Sequence, residues 1–469
     1  MNRAASLSFG LLLATFTYFG LAATGQTHSI SIVAAITVLC ALWWALEPIP
    51  IPVTSLVPLA LFPLLGILSK DQIAQALGHQ INLLLLGGFV LSLAMEKSNA
   101  HLSLAERLLQ LLAGGRSTLS GKRVLVGFML VSAGMSMWIS NTASTIMLLP
   151  VALVVARAST KDNDQRLIIP LLLGICYAAS IGGLGTPIGT PPNLIFISIY
   201  EEQFGKEISF ITWMRWALPV VVIMLPIAIW WLSRRIDNSI ELTLSEPSSL
   251  TSWQKRVLLV FLATALLWIF RTEPFGGWRL WLNLPAANDS SVALLAIIAM
   301  SLIPRGGASA DAHKPLFTWD FAKDLPWGIL LLFSGGIAIA IAFKVSGLSQ
   351  LIADVFVSAA GILPIIGLIA IIALTVTFLT EITSNTATAS LLMPVLAAIA
   401  VGSGVDGLIL MLPAVLSTSF AFMMPVATAP NAVVFGSGRV PISSMIRYGF
   451  VLNILGAMVV FTYAALMLT

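Results

Sequence analysis

Apolar runs of about 17 to 25 residues succeed one another along nearly the whole chain, each long enough to cross a hydrocarbon core of roughly 30 Å as a helix. Lipid offers a backbone N–H or C=O no partner, so only helices or a closed barrel can span it. A barrel would show short strands of alternating polarity, whereas these runs are continuous, and the expected fold class is all-α. Composition agrees: of 469 residues, 58% are hydrophobic and 9% charged, against roughly 25% charged in soluble chains. The chain reads as a polytopic membrane protein.

Simple spans are expected near 5–24, 29–46, 50–68, 80–96, 212–233, 256–270, 291–304, 326–343 and 446–467. The first lacks a persuasive cleavage site before the next span and reads as a retained helix, not a signal peptide. Ser103–Leu112 has the 3.6-residue period of a helix lying on the membrane surface. Four other stretches do not fit a plain span. Residues 124–156 and 363–400 each carry a polar triplet between short apolar arms, Ser140-Asn141-Thr142 and Ser384-Asn385-Thr386. Such a pattern predicts a re-entrant hairpin, tolerated where its tip is buried in protein or lines a cavity. Residues 167–200 and 407–436 are interrupted by glycine and proline, around Gly189-Thr190-Pro191-Pro192-Asn193 and Ala427-Thr428-Ala429-Pro430-Asn431, and read as broken helices.

One pattern is thus written twice. Gly87-Gly88 maps to Gly335-Gly336 at an offset of 248, Asn141 to Asn385 at 244 and Thr190 to Thr428 at 238, an internal repeat in fixed order. The division that follows is scaffold helices over 1–79, a first repeat over 80–236, a linker rich in Ser, Thr, Glu and Asn at 237–255, further scaffold helices over 256–325 and a second repeat over 326–469. With the N-terminus inside and each hairpin returning to its own side, all of the 24 basic residues fall inside except Lys70, Lys206, Arg215, Arg271, Arg279 and Lys344. This gives eleven spans, a cytoplasmic N-terminus, a cytoplasmic linker and a periplasmic C-terminus in an inner membrane. The hairpins then enter from opposite sides, so the halves are inverted copies, an arrangement found in secondary transporters with a site at the midplane.

A hairpin tip and a helix break bring helix N-termini to the membrane middle, where free N–H groups hold a carboxylate without a fixed cation. Neither triplet has Arg, Lys or His beside it, so a buried anion there needs charge from elsewhere. Oxygens of Ser136, Ser140, Asn141 and Gly189 in one half, and of Thr380, Ser384, Asn385 and Ala427 in the other, suit a hard cation such as Na⁺. Glu381 beside the second triplet is an intramembrane carboxylate, but Met137 at the matching position favours a local structural partner. The net charge of +4 follows loop lysines and arginines without a basic aromatic stripe, which excludes nucleic acid as a partner. Cys40 and Cys176 are expected unpaired, and the four histidines have no ligand spacing. Trp43, Trp44, Trp230 and Trp231 read as interface anchors.

The stretches WISNTAST, GTPIGTPPN, TSNTATAS and FMMPVATAPNAVVFGSG resemble the divalent anion:sodium symporter family, the sodium-coupled dicarboxylate, citrate and sulfate carriers, over essentially the whole chain. The resemblance implies that Ser140, Asn141, Thr142, Thr190, Ser384, Asn385, Thr386 and Thr428 hold the substrate carboxylates, and that the eight oxygen donors above form two sodium sites. It also implies a homodimer working by an elevator motion. Thr428-Ala429-Pro430 departs from the expected Thr-Pro-Pro, a change that would loosen the second break. The expected function is Na⁺-coupled symport of a C4-dicarboxylate, with a sodium-independent exchanger or a sulfate or citrate carrier as alternatives. A channel or cation antiporter would favour acidic pairs in the broken helices, and a membrane enzyme would need a nucleophile and base that the midplane residues do not supply.

Overall fold

The computed structural model describes residues 3–113, 118–157, 165–234, 236, 241–243, 249–307, 310–352, 354 and 364–468. The first helices are α1 (Arg3–Ala23), α2 (His28–Leu46), α3 (Ile51–Leu64), α4 (Lys70–Leu77), α5 (Gln80–Lys97) and α6 (Ala100–Ala113). The first hairpin and broken helix comprise α7 (Gly121–Ser136), α8 (Asn141–Arg157), α9 (Gln165–Gly182) and α10 (Pro191–Phe204), followed by α11 (Phe210–Ser233). After the linker come α12 (Ser252–Ile269), the short α13 (Gly277–Trp281), α14 (Asp289–Leu302) and α15 (Trp327–Ser346). The second set is α16 (Ile365–Leu379), α17 (Asn385–Ser403), α18 (Gly407–Thr418), α19 (Ala429–Gly436) and α20 (Ile442–Leu468). Among the described residues nine helical segments are long and apolar enough to cross a membrane, with five shorter apolar helices beside them. The purely helical expectation misses one feature. Thr118–Ser120 and Glu241–Thr243 form a short antiparallel pair, β1 and β2, joining the entry of the first hairpin to the linker.

Local sequence sets several boundaries. Ser69 and Thr251 start α4 and α12 with reciprocal capping boxes to Gln72 and Gln254. Pro191 and Pro430, at the first turns of α10 and α19, cost nothing where no intrahelical N–H partner exists.

The helices pack as two groups. In one, α3 packs on α15, α5 on α14, α1 on α2, and α12 on α14; in the other, α7 and α8 pack on α9, α16 and α17 on α18, with α11 against α7 and α9, α20 against α16 and α18, and α11 against α20. Contacts of α10 with α15 and of α15 with α17 join the groups. The pairings cross between halves: α5 packs on α14 as α15 packs on α3, and α10 packs on α17 as α19 packs on α8. Paired glycines mark the first exchange. A Cβ on Gly87 would sit 2.4 Å from the Ala293 Cβ, and one on Gly335 2.6 Å from the Ser55 carbonyl, so both crossings bring backbones together where no side chain fits.

One expectation is corrected by burial. Trp44 is not an interface anchor; it is 2% exposed and its indole N–H donates to Ser55 Oγ at 3.1 Å. Arg271 lies in the connection after α12 and is fully buried there. Its Nε donates to Asp289 Oδ1 at 2.6 Å and its Nη2 to Glu207 Oε1 at 2.7 Å. Asp289 also accepts from the Phe210 N–H at 3.0 Å, and Phe210 stacks on Trp268 with centroids 5.0 Å apart. The arginine therefore fastens the α12–α14 connection to the start of α11. Removing one partner of a buried ion pair strands the other charge, at a cost of about 3–5 kcal/mol. Arg271→Met is expected to lower the melting temperature of the purified protein sharply, while Arg279→Gln at the exposed end of the network changes it little; equal melting temperatures for wild type and Arg271→Met would contradict this role.

Candidate functional site

The first candidate site is the junction between the α7–α8 hairpin and the break separating α9 from α10. Ser140 caps α8, its Oγ accepting from the Ala143 N–H at 3.1 Å. The chain leaves α9 at Gly182, makes one tight turn over Gly183–Gly185 and a second over residues 187–189, closed by the Gly189 N–H on Thr186 O at 3.3 Å, before re-entering helix at Pro191. Breaking a helix frees carbonyls that lipid cannot satisfy. The buried Asn193 takes up two of them, its Nδ2 donating to Gly183 O at 2.9 Å and Thr186 O at 2.8 Å. The Thr186 hydroxyl donates in turn to Met137 O in the hairpin tip. Glycine is required at the contact: a Cβ on Gly183 would lie 2.5 Å from Asn141 Oδ1 and one on Gly189 2.4 Å from Gly183 O.

The second junction repeats this chemistry. Ser384 caps α17 through the Ala387 N–H at 3.1 Å, and Asn431 Nδ2 donates to Ala421 O at 2.9 Å and Met424 O at 3.1 Å. The tie between tip and break differs. Glu381 accepts from the Met423 and Met424 N–H groups at 2.8 and 2.9 Å and from Asn453 Nδ2 at 2.6 Å. Its carboxylate therefore does for the second break what Thr186 does for the first, and these groups are the local structural partners expected from the mismatch with Met137. At the second break the Thr428 hydroxyl accepts from the Asn431 N–H at 3.2 Å and caps α19. Thr190 makes no such side-chain cap.

Oxygen atoms converge at each junction. The Ser136 hydroxyl lies against Asn141 Oδ1 and 2.7 Å from Ala179 O. It has one proton for two acceptors. Asn141 Oδ1 also lies 3.2 Å from Gly189 O and 3.3 Å from Ala179 O. Either the amide turns so that its nitrogen donates to both carbonyls, or a cation sits among four oxygens. In the second half Thr380 Oγ1 lies 2.8 Å from Asn385 Oδ1 and 3.1 Å from Thr418 O, again one proton for two acceptors. Of the expected donors, Ser136, Asn141 and Gly189 come together in one junction, and Thr380 and Asn385 in the other. Ser140 and Ser384 turn their hydroxyls to capping, and the buried Ala427 donates its N–H to Met424 O at 3.2 Å. The carbonyls of Ala179 and Thr418 are absent from the donors expected on sequence. They belong to the last turn before each break, where carbonyls lack intrahelical partners, and that rule points to them.

Beside the first junction lies a cavity of about 340 Å³. Ser140, Thr142, Gly189 and Pro191 line it from the junction, and Ser92, Glu96 and Asp324 from the other helix group. No lysine, arginine or histidine lines it among the described residues. Lys97 Nζ lies 2.7 Å from Asp324 and holds that carboxyl below the usual carboxylate range. Thr190, Asn385 and Thr428 are buried, while Asn141, Ser384 and Thr386 are half-buried. The second triplet and Thr428 lie outside this cavity's lining and connect to the first site through the crossed packing of α10 on α17 and α19 on α8.

Residues 4–468 match the family described as the sodium:sulfate symporter transmembrane region. The sodium-dependent dicarboxylate transporter SdcS of Staphylococcus saprophyticus is 38% identical over 448 residues, covering 91% of this chain and 84% of its own. SdcS of Staphylococcus aureus is 37% identical over 449 residues, with the same coverages. Among solved structures, the YdaH transporter of Alcanivorax borkumensis superposes with a TM-score of 0.60 at 14% identity, covering 87% of this chain and 89% of its own. MtrF of Neisseria gonorrhoeae gives 0.55 at 13% identity, covering 87% and 84%. At those identities the likeness is one of fold. With a match running almost from end to end, this chain belongs to the sodium:sulfate symporter family.

Proposed function

We propose that the protein is a secondary transporter that carries a C4-dicarboxylate such as succinate, malate or fumarate together with Na⁺. The observation that carries the reading is the convergence of oxygen atoms at both junctions, around Ser136, Ala179 and Gly189 beside the Asn141 amide and around Thr380, Asn385 and Thr418. Two cations there supply the positive charge that a buried dianion needs and that no side chain lining the cavity provides. The naming of the SdcS relatives as sodium-dependent dicarboxylate transporters supports the same chemistry. The substrate carboxylates rest on neutral donors and helix N-termini at Ser140, Asn141, Thr142 and Thr190 and at Ser384, Asn385, Thr386 and Thr428. Thr190, whose hydroxyl is not used in capping, is available to donate to a carboxylate; the Thr428 hydroxyl, while accepting from Asn431 N–H, keeps its own proton for the same use.

The crossed pairing of equivalent helices supports two halves related as inverted copies, with eleven spans in an inner membrane, the N-terminus in the cytoplasm and the C-terminus in the periplasm. The separation of α7–α11 and α16–α20 from the remaining helices suits an elevator, the first group carrying the site past the second in each subunit of a homodimer.

Uptake of labelled succinate into proteoliposomes should require Na⁺ and rise sigmoidally with its concentration, because more than one ion accompanies each dianion; uptake that is equal with choline in place of Na⁺ would refute the coupling. In thermal-shift measurements succinate is expected to raise the melting temperature only with Na⁺ present, since a ligand stabilises the state it binds. Sulfate and citrate run alongside test the substrate class. Asn141→Ala and Asn385→Ala should each weaken the Na⁺-dependent response at least about tenfold, near 1.4 kcal/mol. Wild-type responses in both variants would remove these asparagines from the site.

A further inference from the structure

At one end of the site-bearing helix group, α11 and α20 enclose a cavity of about 370 Å³ lined by Trp231, Arg234, Arg447, Tyr448 and Val451. Trp231 Nε1 donates to Tyr448 O at 3.1 Å, and the two rings meet edge to face at 6.4 Å. The indole thereby ties the two helix ends together. The Arg234 guanidinium lies 4.7 Å from the Trp230 ring and 4.9 Å from that of Trp231, within cation–π range of both. Among the described residues neither Arg234 nor Arg447 has a carboxylate within ion-pair distance.

A single arginine at a helix end is explained by its stem lying along lipid and its head reaching water. That does not account for two of them facing one cavity, where like charges repel unless an anion lies between. Guanidinium groups present planar forks of N–H donors that match phosphate oxygens. The surroundings identify the carrier of the phosphate. Trp230, whose ring lies under the Arg234 guanidinium, is 58% exposed, and Val451 lines the cavity, so apolar surface for an acyl chain adjoins the arginines, with tryptophan and tyrosine at headgroup level. Basic pockets between membrane helices take acidic headgroups in this way.

We propose that Arg234 and Arg447 form a binding site for the phosphate of an anionic phospholipid, seated between α11 and α20. Native mass spectrometry of the detergent-purified protein, titrated separately with phosphatidylglycerol and phosphatidylcholine, tests it, with thermal shifts recorded for both lipids and for inorganic phosphate. Wild type should bind phosphatidylglycerol in preference to phosphatidylcholine and melt at a higher temperature with it. The double variant Arg234→Gln/Arg447→Gln should bind phosphatidylglycerol about tenfold more weakly, and Arg234→Lys/Arg447→Lys, which keeps the charge but not the planar fork, should fall between it and wild type. Unchanged phosphatidylglycerol binding in the glutamine variant, or equal binding of the two lipids by wild type, overturns the proposal. A melting rise reproduced in full by inorganic phosphate overturns the lipid assignment and leaves a soluble anion as the ligand. A response of the glutamine variant to Na⁺ and succinate that matches wild type shows that its fold is intact.

Discussion

A helix interrupted inside a membrane exposes carbonyl and N–H groups that lipid cannot satisfy, each at a cost of several kcal/mol. The rest of this structure depends on how two such interruptions are closed. In each, one asparagine amide, Asn193 or Asn431, bridges two freed carbonyls across the break. A hydroxyl at the end of the preceding hairpin arm, Ser136 or Thr380, then bonds both to the triplet asparagine and to the last turn of the broken helix. Hairpin tip and broken helix are thereby one unit, and the oxygens proposed to serve a ligand are the same ones that hold the backbone open.

The halves reach the same geometry with different groups. The first uses the Thr186 hydroxyl on a hairpin carbonyl; the second uses the Glu381 carboxylate on two backbone N–H groups. The second arrangement commits a buried charge to structure, and its hydrogen bonds to Met423, Met424 and Asn453 leave little of it for transport. Crossed packing of α10 on α17 and α19 on α8 makes each site depend on both halves. A ligand that loads one junction thus has a direct mechanical path to the other, through packed helices and not through a flexible loop.

Much of this is legible in the sequence because membrane physics leaves few choices. Ser140-Asn141-Thr142 and the glycine-proline breaks stand out against apolar surroundings, and a helix starts at or beside each of them, at Asn141, Pro191, Asn385 and Ala429. Less visible are features that depend on which helix meets which. The carbonyls of Ala179 and Thr418 carry no side-chain signature. Nothing in the sequence tells that Asp289 and Glu207 meet Arg271, and Trp44 looks like an interface anchor until Ser55 receives its N–H. The short pairing of Thr118–Ser120 with Glu241–Thr243 joins segments too polar and too brief for a pattern to register.

The central claim is that cations occupy the two oxygen clusters and offset the cost of burying the dianion. A high-resolution cryo-EM map of the protein in Na⁺ and succinate tests it most directly. The account predicts an ion among Ser136 Oγ, Asn141 Oδ1, Ala179 O and Gly189 O, and a second beside Thr380, Asn385 and Thr418. A map with succinate bound, no ion at either place and the Asn141 amide turned to donate to the Ala179 and Gly189 carbonyls would contradict it.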